Sequence, residues 1–176
     1  MLFLLLGMVA TASPLLAATA DTTPPLQTVP HVDLNRYLGT WYEIASFPQW
    51  FQKGCVATSA TYTLRKDGDV DVLNQCRDKT LEGKARKANG KAWVVDPKSN
   101  AKLKVRFFWP FSGDYWIIDL GPTYEYAVVG HPKRNYLWIL SRTRKMDSAV
   151  YDEILQRLKK QHYDITRLYK TLQPAE

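Results

Sequence analysis

Short runs in which apolar and polar residues alternate one for one dominate this chain and restrict it to a fold rich in β-strands. The sharpest run spans residues 102–107, where Leu, Val and Phe alternate with Lys and Arg. Successive side chains of a strand point to opposite faces, so this pattern predicts a strand with one buried face and one solvated face. A similar alternation at 56–64 ends at Asp67-Gly68, a dipeptide typical of hairpin turns.

Turn clusters separate the strand-like runs at short intervals. Strands are predicted near 39–46, 56–64, 70–72, 90–95, 102–107, 115–120, 124–130 and 136–142. Clusters rich in Gly, Pro, Asp, Asn and Ser lie at 66–69, 96–100, 112–114, 121–122 and 130–132. Eight strands with short links favour an up-and-down antiparallel barrel or a sandwich. The lack of long crossovers argues against a parallel α/β sheet.

One amphipathic helix is predicted after the last of these strands. Asp147 is suited to be its N-cap, and Val150, Ile154, Leu155 and Leu158 form one apolar stripe. Such a stripe has to be buried against a sheet, and residues 137–140 are apolar on both faces, as a strand beneath a helix would be. A short final strand is expected near 168–172.

The first twenty residues are typical of an export signal. An apolar stretch ends in Ala18-Thr19-Ala20, a small-x-small cleavage pattern. The alternative, a membrane anchor, is weaker because Gly, Thr, Ser and Pro interrupt the stretch. We therefore predict a signal peptide at 1–20, an extended leader at 21–31 and one domain at 32–174. No Cys follows the apolar stretch, so a soluble periplasmic or secreted form is expected over a lipid-anchored one.

The net charge and the reactive side chains argue against several functions and indicate none. The formal net charge is +7, but the cations at 102–106 alternate as an ordinary solvated strand face does, so nucleic-acid binding is not expected. None of the three histidines has triad or metal-ligand spacing. We expect no enzyme activity, no metal and no cofactor. Two alternatives remain: a carrier of haem, with His131 as its axial ligand, or of another hydrophobic pigment, and an enzyme that uses Cys55.

The only two cysteines, Cys55 and Cys76, suggest one disulfide in an exported chain. With the turn at 66–69, Leu64 is expected opposite Asp71, which places Cys76 nearer Ser59 than Cys55. A bridge then needs the segment before the second strand to fold back, so two free thiols stay open as the alternative.

Two segments about a hundred residues apart resemble signatures of the lipocalin family. Gly39-Thr40-Trp41-Tyr42-Glu43 resembles the Gly-x-Trp motif at the start of strand A, and the segment 136–143 resembles the motif whose Arg, here Arg142, closes the eighth strand. When Phe107-Phe108 and the Pro110-Phe111 turn are included, the sequence is most similar to bacterial (outer-membrane type) lipocalins and to apolipoprotein D. The likeness covers about 32–174 and implies an eight-stranded lipocalin barrel with one C-terminal helix packed outside.

The family pattern gives Gly39, Trp41 and Arg142 a structural role at a closed barrel end. Gly39 allows close approach, Trp41 fills the floor, and the Arg142 guanidinium can stack on the Trp41 ring. One position departs from the family: Thr123 stands where an Asp is expected before Tyr124. A receptor contact through that loop is therefore not carried over.

The resemblance and the order of the strands place a ligand at the opposite end. Links alternate between the two ends of a meander, so the loops carrying Phe47, Trp50, Phe51, Trp109 and Phe111 surround the mouth. The expected ligand contacts are Glu43, Phe51, Trp109, Phe111, Tyr115, Tyr126 and Trp138. An inward Glu43 would favour a hydroxyl, amine or choline headgroup, whereas a surface Glu paired with a Lys is the alternative.

These observations predict a carrier of a fatty acid or lysophospholipid in the cell envelope, serving membrane maintenance. The expected partners are that small hydrophobic ligand and a membrane surface at the barrel mouth. The sequence leaves open whether the protein is a monomer or a homodimer.

Overall fold

The computed structural model describes residues 23–175. The predicted signal peptide lies outside the described residues. Within the described part, no helix combines the length and the apolar character needed to cross a membrane. The segment from Thr23 to Val32 has no regular secondary structure, yet Leu26 and Val32 are buried against the rest of the domain.

Antiparallel strands form a barrel, as predicted. The strands are β1 (Gly39–Ser46), β2 (Cys55–Leu64), β3 (Val70–Asp78), β4 (Ala85–Val94), β5 (Lys102–Phe108), β6 (Phe111–Leu120), β7 (Tyr126–Gly130), β8 (Leu137–Ser141) and the short β9 (Tyr169–Lys170). Each of β2 to β8 pairs with its sequence neighbour, and β1 pairs with both β2 and β8. These last two pairings close the ring. The helices are α1 (Leu34–Tyr37), before β1, and α2 (Ser148–Lys160), after β8.

Strand β1 divides its pairing along its length. Its first half, from Gly39 to Tyr42, pairs with β2, and its second half, up to Ser46, pairs with β8. Beyond Tyr42 the neighbour on the β2 side is the C-terminal segment, because β9 pairs with Ala45 and Ser46. The C-terminal segment therefore seals the gap that opens between β1 and β2 near the mouth.

The buried residues form two groups on opposite sides of the barrel wall. The inner group contains Val32, Tyr37, Trp41, Tyr62, Val70, Val72, Ala92, Ala101, Leu103, Ile117, Ala127, Val129 and Leu140. The outer group lies under α2 and contains Leu26, Ala45, Phe47, Ile118, Val128, Leu137, Ile139, Tyr151, Ile154, Leu158 and Tyr163. Strand β8 contributes alternate residues to both groups, which explains why its sequence is apolar on both faces.

Helix α2 begins as the sequence predicts. The Asp147 side chain accepts hydrogen bonds from the backbone N–H groups of Ala149 and Val150, and so caps the first turn. Ile154 and Leu158 are buried, while Val150 and Leu155 are partly buried at the edge of the contact. Basic residues occupy the last turn, where they complement the partial negative charge of the helix end.

Cys55 and Cys76 form a disulfide. The expected register was wrong by one residue, because Leu64 lies opposite Val70 rather than Asp71. The two cysteines meet through a β-bulge between Val56 and Ser59, not through a fold-back before β2. The one extra residue of the bulge places Cys55 opposite Asp78, where its side chain reaches Cys76 on the same strand as Asp78.

Two further details differ from the expectation. Residues 112–114 were read as a turn, but they lie inside β6, and the turn between β5 and β6 is only Trp109-Pro110. Helix α1 was not predicted at all. Asp33 caps it by accepting a hydrogen bond from the backbone N–H of Asn35.

Candidate functional site

Trp41 closes one end of the barrel. Its side chain is fully buried, and its indole N–H donates to the backbone oxygen of Tyr37 in α1 at 2.8 Å. The Arg142 guanidinium lies 3.7 Å above the Trp41 ring, as predicted. Gly39 has a φ of +91°, and a Cβ there would lie 3.4 Å from Arg142 Nη1. A side chain at Gly39 would strain the backbone and press on the stacked guanidinium.

Arg142 also joins three chain segments at this end. It donates to the backbone oxygens of Arg36 at 2.7 Å, Thr40 at 3.0 Å, and Tyr37 and Tyr124 at 3.3 Å. Partial burial lowers the pKa of Arg142 from its usual value, yet the group remains a cation at any physiological pH. Helix α1 is thus held across the end of the barrel, and we call the region of Trp41, Arg142 and α1 the floor.

A narrow cavity of about 20 Å³ lies inside the barrel next to the floor, and we call it the axial space. Its walls consist of Leu34, Tyr37, Leu38, Tyr62, Val70, Ala92, Leu103, Val105 and Tyr115. These side chains are apolar except for the tyrosine hydroxyls. The shape and the lining suit a slim apolar group and exclude a bulky polar one.

Tyr37, Tyr62 and Tyr115 bring their hydroxyl groups together at this space, and we call them the tyrosine triad. The Tyr115 oxygen lies 2.8 Å from that of Tyr37 and 2.9 Å from that of Tyr62. Burial raises the pKa of Tyr62 to about 12, and it raises the pKa of Tyr37 and of Tyr115 well above the ordinary value of a phenol. All three hydroxyls are therefore neutral under ordinary conditions.

At the other end, three side chains tie the loop between β1 and β2 to the wall. Gln52 donates from its amide nitrogen to Glu43 Oε2 at 2.8 Å and accepts from the Trp138 indole N–H at 2.9 Å. Glu43 also accepts from Ser46 at 2.9 Å and from Thr171. We call this set of contacts the mouth network.

The mouth network corrects the expectation for Glu43. Its side chain is buried, but its carboxylate is occupied by hydroxyl and amide donors of the chain itself. It is neither a free inward carboxylate waiting for a headgroup nor a surface Glu paired with a Lys. Its role in the structure is to hold Gln52 and the C-terminal segment.

Large apolar side chains surround the mouth and face solvent. Trp50, Trp109 and Phe111 are 84%, 82% and 78% exposed, and Phe108 is 75% exposed. Phe51 is less exposed because its ring stacks on Tyr136. We call Trp50, Phe108, Trp109 and Phe111 the aromatic rim; all four are large apolar side chains left exposed at the mouth.

Of the expected ligand contacts, only Tyr115 lines the axial space, and Trp138 lies on the same inner side nearer the mouth. Phe51, Trp109 and Phe111 belong to the mouth loops. Tyr126 was assigned wrongly: it packs under α2 on the outer face, and its hydroxyl accepts from Arg157 at 3.0 Å.

The residues behind the two alternatives are engaged elsewhere. Cys55 is in the disulfide and cannot act as a thiolate nucleophile in this state. His131 Nδ1 accepts a hydrogen bond from the backbone N–H of Lys133, and its ring packs edge-on against Tyr136. Partial burial lowers the pKa of His131, so the ring is neutral at physiological pH.

Tyr37, Tyr62 and Gln52 were not among the predicted site residues. Tyr62 carried a usable signal, because the alternation at 56–64 puts it on the same strand face as Ala60, and the structure shows that this face points inward. Tyr37 also carried one, since it lies four residues before Trp41, but without α1 nothing indicated that it points into the barrel. Gln52 carried none, because its contacts depend on the conformation of a loop.

In a comparison with known protein families, residues 32–173 match the family model of a lipocalin-like domain. The chain is 44% identical over 157 residues to temperature-induced lipocalin-1 of Arabidopsis thaliana, covering 84% of this chain and 83% of that protein. It is 40% identical over 168 residues to the outer membrane lipoprotein Blc of Escherichia coli K12, covering 94% of each. It is 34% identical over 160 residues to apolipoprotein D of Macaca fascicularis, covering 85% of this chain and 80% of that protein.

Among solved structures, insecticyanin of the tobacco hornworm Manduca sexta superposes with a TM-score of 0.67, covering 84% of both chains. The sequence identity is 20%, so this likeness concerns the fold alone. It matches the closed antiparallel barrel with one helix outside.

Proposed function

The chain belongs to the lipocalin family, and from this membership we propose that it binds one fatty acid or lysophospholipid in its barrel and carries it within the cell envelope. Membership supports a role in binding or transporting a hydrophobic ligand. The identity of the lipid and the place where it is carried are our proposals.

The axial space is the observation that supports an acyl ligand. It is closed by the floor, it is lined by aliphatic and aromatic side chains, and it is slim. Each methylene group transferred from water into such a space contributes about 0.8 kcal/mol. The end of an acyl chain that enters the axial space gains this energy while the charged headgroup remains near the mouth, in water.

The position of the charged groups supports the same orientation. None of the residues that line the axial space carries a formal charge. An ionised carboxylate or phosphate at the floor would lose its hydration without gaining a partner, which is costly. Exposed lysines on the mouth loops, such as Lys53, Lys84 and Lys133, offer anionic groups a favourable surface instead.

We propose further that the aromatic rim contacts a lipid surface during loading and release. Trp and Phe side chains at the mouth suit the boundary between headgroups and acyl chains, and the neighbouring lysines suit anionic headgroups. The similarity to an outer membrane lipoprotein supports a location in the envelope. The competing explanation is that the same rim joins two copies of this chain in a homodimer.

A test of the lipid site fills the axial space. Val105→Trp places a large ring among the lining residues, whereas Lys104→Trp changes the adjacent, outward residue of the same strand. We expect wild type and Lys104→Trp to bind a fluorescent fatty acid, and to release it when lysophospholipid is added. We expect Val105→Trp to bind at least tenfold more weakly while keeping its circular dichroism spectrum. Equal binding by all three proteins would contradict the proposal.

The rim is tested separately with vesicles. Co-sedimentation with vesicles that contain anionic phospholipid is expected for wild type, and reduced for the pair Trp50→Ser and Trp109→Ser. Sedimentation velocity on both proteins decides between a lipid surface and a second copy of the chain as the partner of the rim. If wild type is a dimer that does not bind vesicles, and the two substitutions dissociate it, the rim serves self-association.

A further inference from the structure

The tyrosine triad has one proton more than it has internal acceptors. Three hydroxyls carry three O–H donors, but only two oxygen–oxygen contacts join them, both through Tyr115. Whichever way the protons are arranged, two are used inside the triad and one is left over. Among residues 23–175 no other group lies within hydrogen-bonding distance of these hydroxyls.

The surplus proton lies at the axial space. All three tyrosines line that space, together with aliphatic residues that cannot accept a hydrogen bond. A buried donor without an acceptor is unfavourable, so the arrangement is satisfied only by an oxygen or nitrogen that enters the space. Either a water or an atom of the ligand can supply it, and both use the same chemistry.

The acceptor that fits is neutral. The cation of the floor, Arg142, does not line the space; it is stacked on the Trp41 ring with its donors directed to backbone oxygens. No described residue that lines the space offers a counter-charge to a carboxylate. The triad itself resists any negative charge, since burial already raises the pKa of each phenol.

We infer that the tyrosine triad is a donor site for a neutral oxygen, such as a hydroxyl or carbonyl, at the end of the ligand that enters the barrel first. This inference rests on the proposed function, because it concerns the deep end of the same lipid site. It narrows the ligand class from simple acyl chains to chains with an oxygen at the distal end, such as ω-hydroxylated or ω-oxidised but uncharged lipids.

The test compares three probes of equal chain length: palmitic acid, its ω-hydroxy derivative and its ω-carboxy derivative. Their affinities are measured by displacement of a fluorescent fatty acid, first for wild type and then for the variant in which Tyr37, Tyr62 and Tyr115 are all changed to Phe. A single Tyr→Phe change is a poor test, because any remaining group of hydroxyls still has at least one proton more than bonds.

The triple substitution should leave the fold intact, since replacing all hydrogen-bonding partners by apolar groups of the same shape costs little. Thermal unfolding checks this. Tyr42→Phe is the matched control, because it removes a hydroxyl from a β1 residue outside the axial space.

The decisive quantity is the affinity ratio of ω-hydroxypalmitic to palmitic acid. We expect this ratio to be about tenfold or more higher in wild type and Tyr42→Phe than in the triple variant, where the ω-hydroxyl is buried without a partner. The ω-carboxy probe should bind wild type more weakly than the ω-hydroxy probe.

Each other outcome has a distinct meaning. An unchanged ratio in the triple variant overturns the inference and leaves a bound water as the only acceptor. A gain for the ω-carboxy probe equal to that of the ω-hydroxy probe overturns the requirement for a neutral oxygen. If palmitic acid itself fails to bind wild type, the proposed function fails, whatever the triad does.

Discussion

Removing the Arg142 side chain should destabilise the barrel strongly without weakening ligand binding. The guanidinium covers Trp41 and donates to backbone oxygens on three segments, those of α1, β1 and the loop before β7. Arg142→Ala leaves those oxygens without their donor and uncovers the Trp41 ring. Neither Arg142 nor Trp41 lines the axial space, so the ligand loses no direct contact.

The magnitude follows from the individual contacts. Two of the hydrogen bonds are short, at 2.7 and 3.0 Å, and hydrogen bonds to a charged group contribute about 1.5–3 kcal/mol each. The stacking on Trp41 adds about 0.5–2 kcal/mol. Water replaces part of this in the variant, because Arg142 is only partly buried, so we expect a loss of about 3 kcal/mol in the free energy of unfolding. In a domain of this size, that corresponds to a melting temperature lower by about 6–12 °C.

Urea and thermal unfolding followed by circular dichroism measure this loss, and Arg144→Ala is the control. Arg144 also lies over an aromatic ring, that of Tyr42 at 5.2 Å, but it joins no segments of backbone. We expect it to cost less than about 1 kcal/mol. If the two alanine variants unfold alike, the assignment of Arg142 to the floor is refuted. A loss of fatty-acid affinity in the folded Arg142→Ala protein would show that the two barrel ends have been assigned in reverse.

Two further predictions concern the pH dependence of stability and the disulfide. In the folded state the pKa of Tyr62 is raised to about 12, and the pKa values of Tyr37 and Tyr115 are also raised. Phenols of the unfolded chain ionise near pH 10. The stability contributed by the neutral triad is therefore complete below about pH 10 and is lost as the pH rises towards 12 and above. Urea midpoints measured across this range should fall more steeply for wild type than for the triple Phe variant; parallel curves would contradict the assignment. Replacing Cys55 and Cys76 by Ser opens a loop whose ends are 21 residues apart and should cost about 3 kcal/mol; wild type with reductant should match the Ser variant, and an unchanged urea midpoint in either would disprove the effect.

The sequence predicted those parts of the fold that depend on local alternation and on local caps. The run at 102–107 became β5 almost residue for residue, because a strand with one wet face keeps strict period two. Helix α2 was found for a similar reason: Asp147 supplies a cap, and the stripe has helical spacing. The stacking of Arg142 on Trp41 was available only through the family motif, since the two residues are about a hundred positions apart.

The predictions were wrong where the local sequence pattern does not show which way a side chain points or where an element begins. Tyr126 and Ala127 begin a strand that is apolar on both faces, so alternation cannot tell which face looks inward. Helix α1 has only four residues, too few to show a helical period. The hairpin that joins β2 and β3 was predicted one residue out of register because its turn is tighter than expected: the Arg65 N–H donates to the Asp69 oxygen, which places Leu64 opposite Val70. The bulge near Ala57, which has a positive φ, also has no sequence signal of its own.

The two ends of the barrel are held by different kinds of contact, and this difference bears on function. At the floor, Arg142 and the Trp41 indole are bonded to backbone oxygens. At the mouth, Gln52 links Glu43 to Trp138 through side chains alone. Backbone acceptors are fixed by the fold, whereas a side-chain link opens by rotation of a few torsions on a short timescale. The mouth network can therefore open while the floor remains closed, as the proposed carrier function requires.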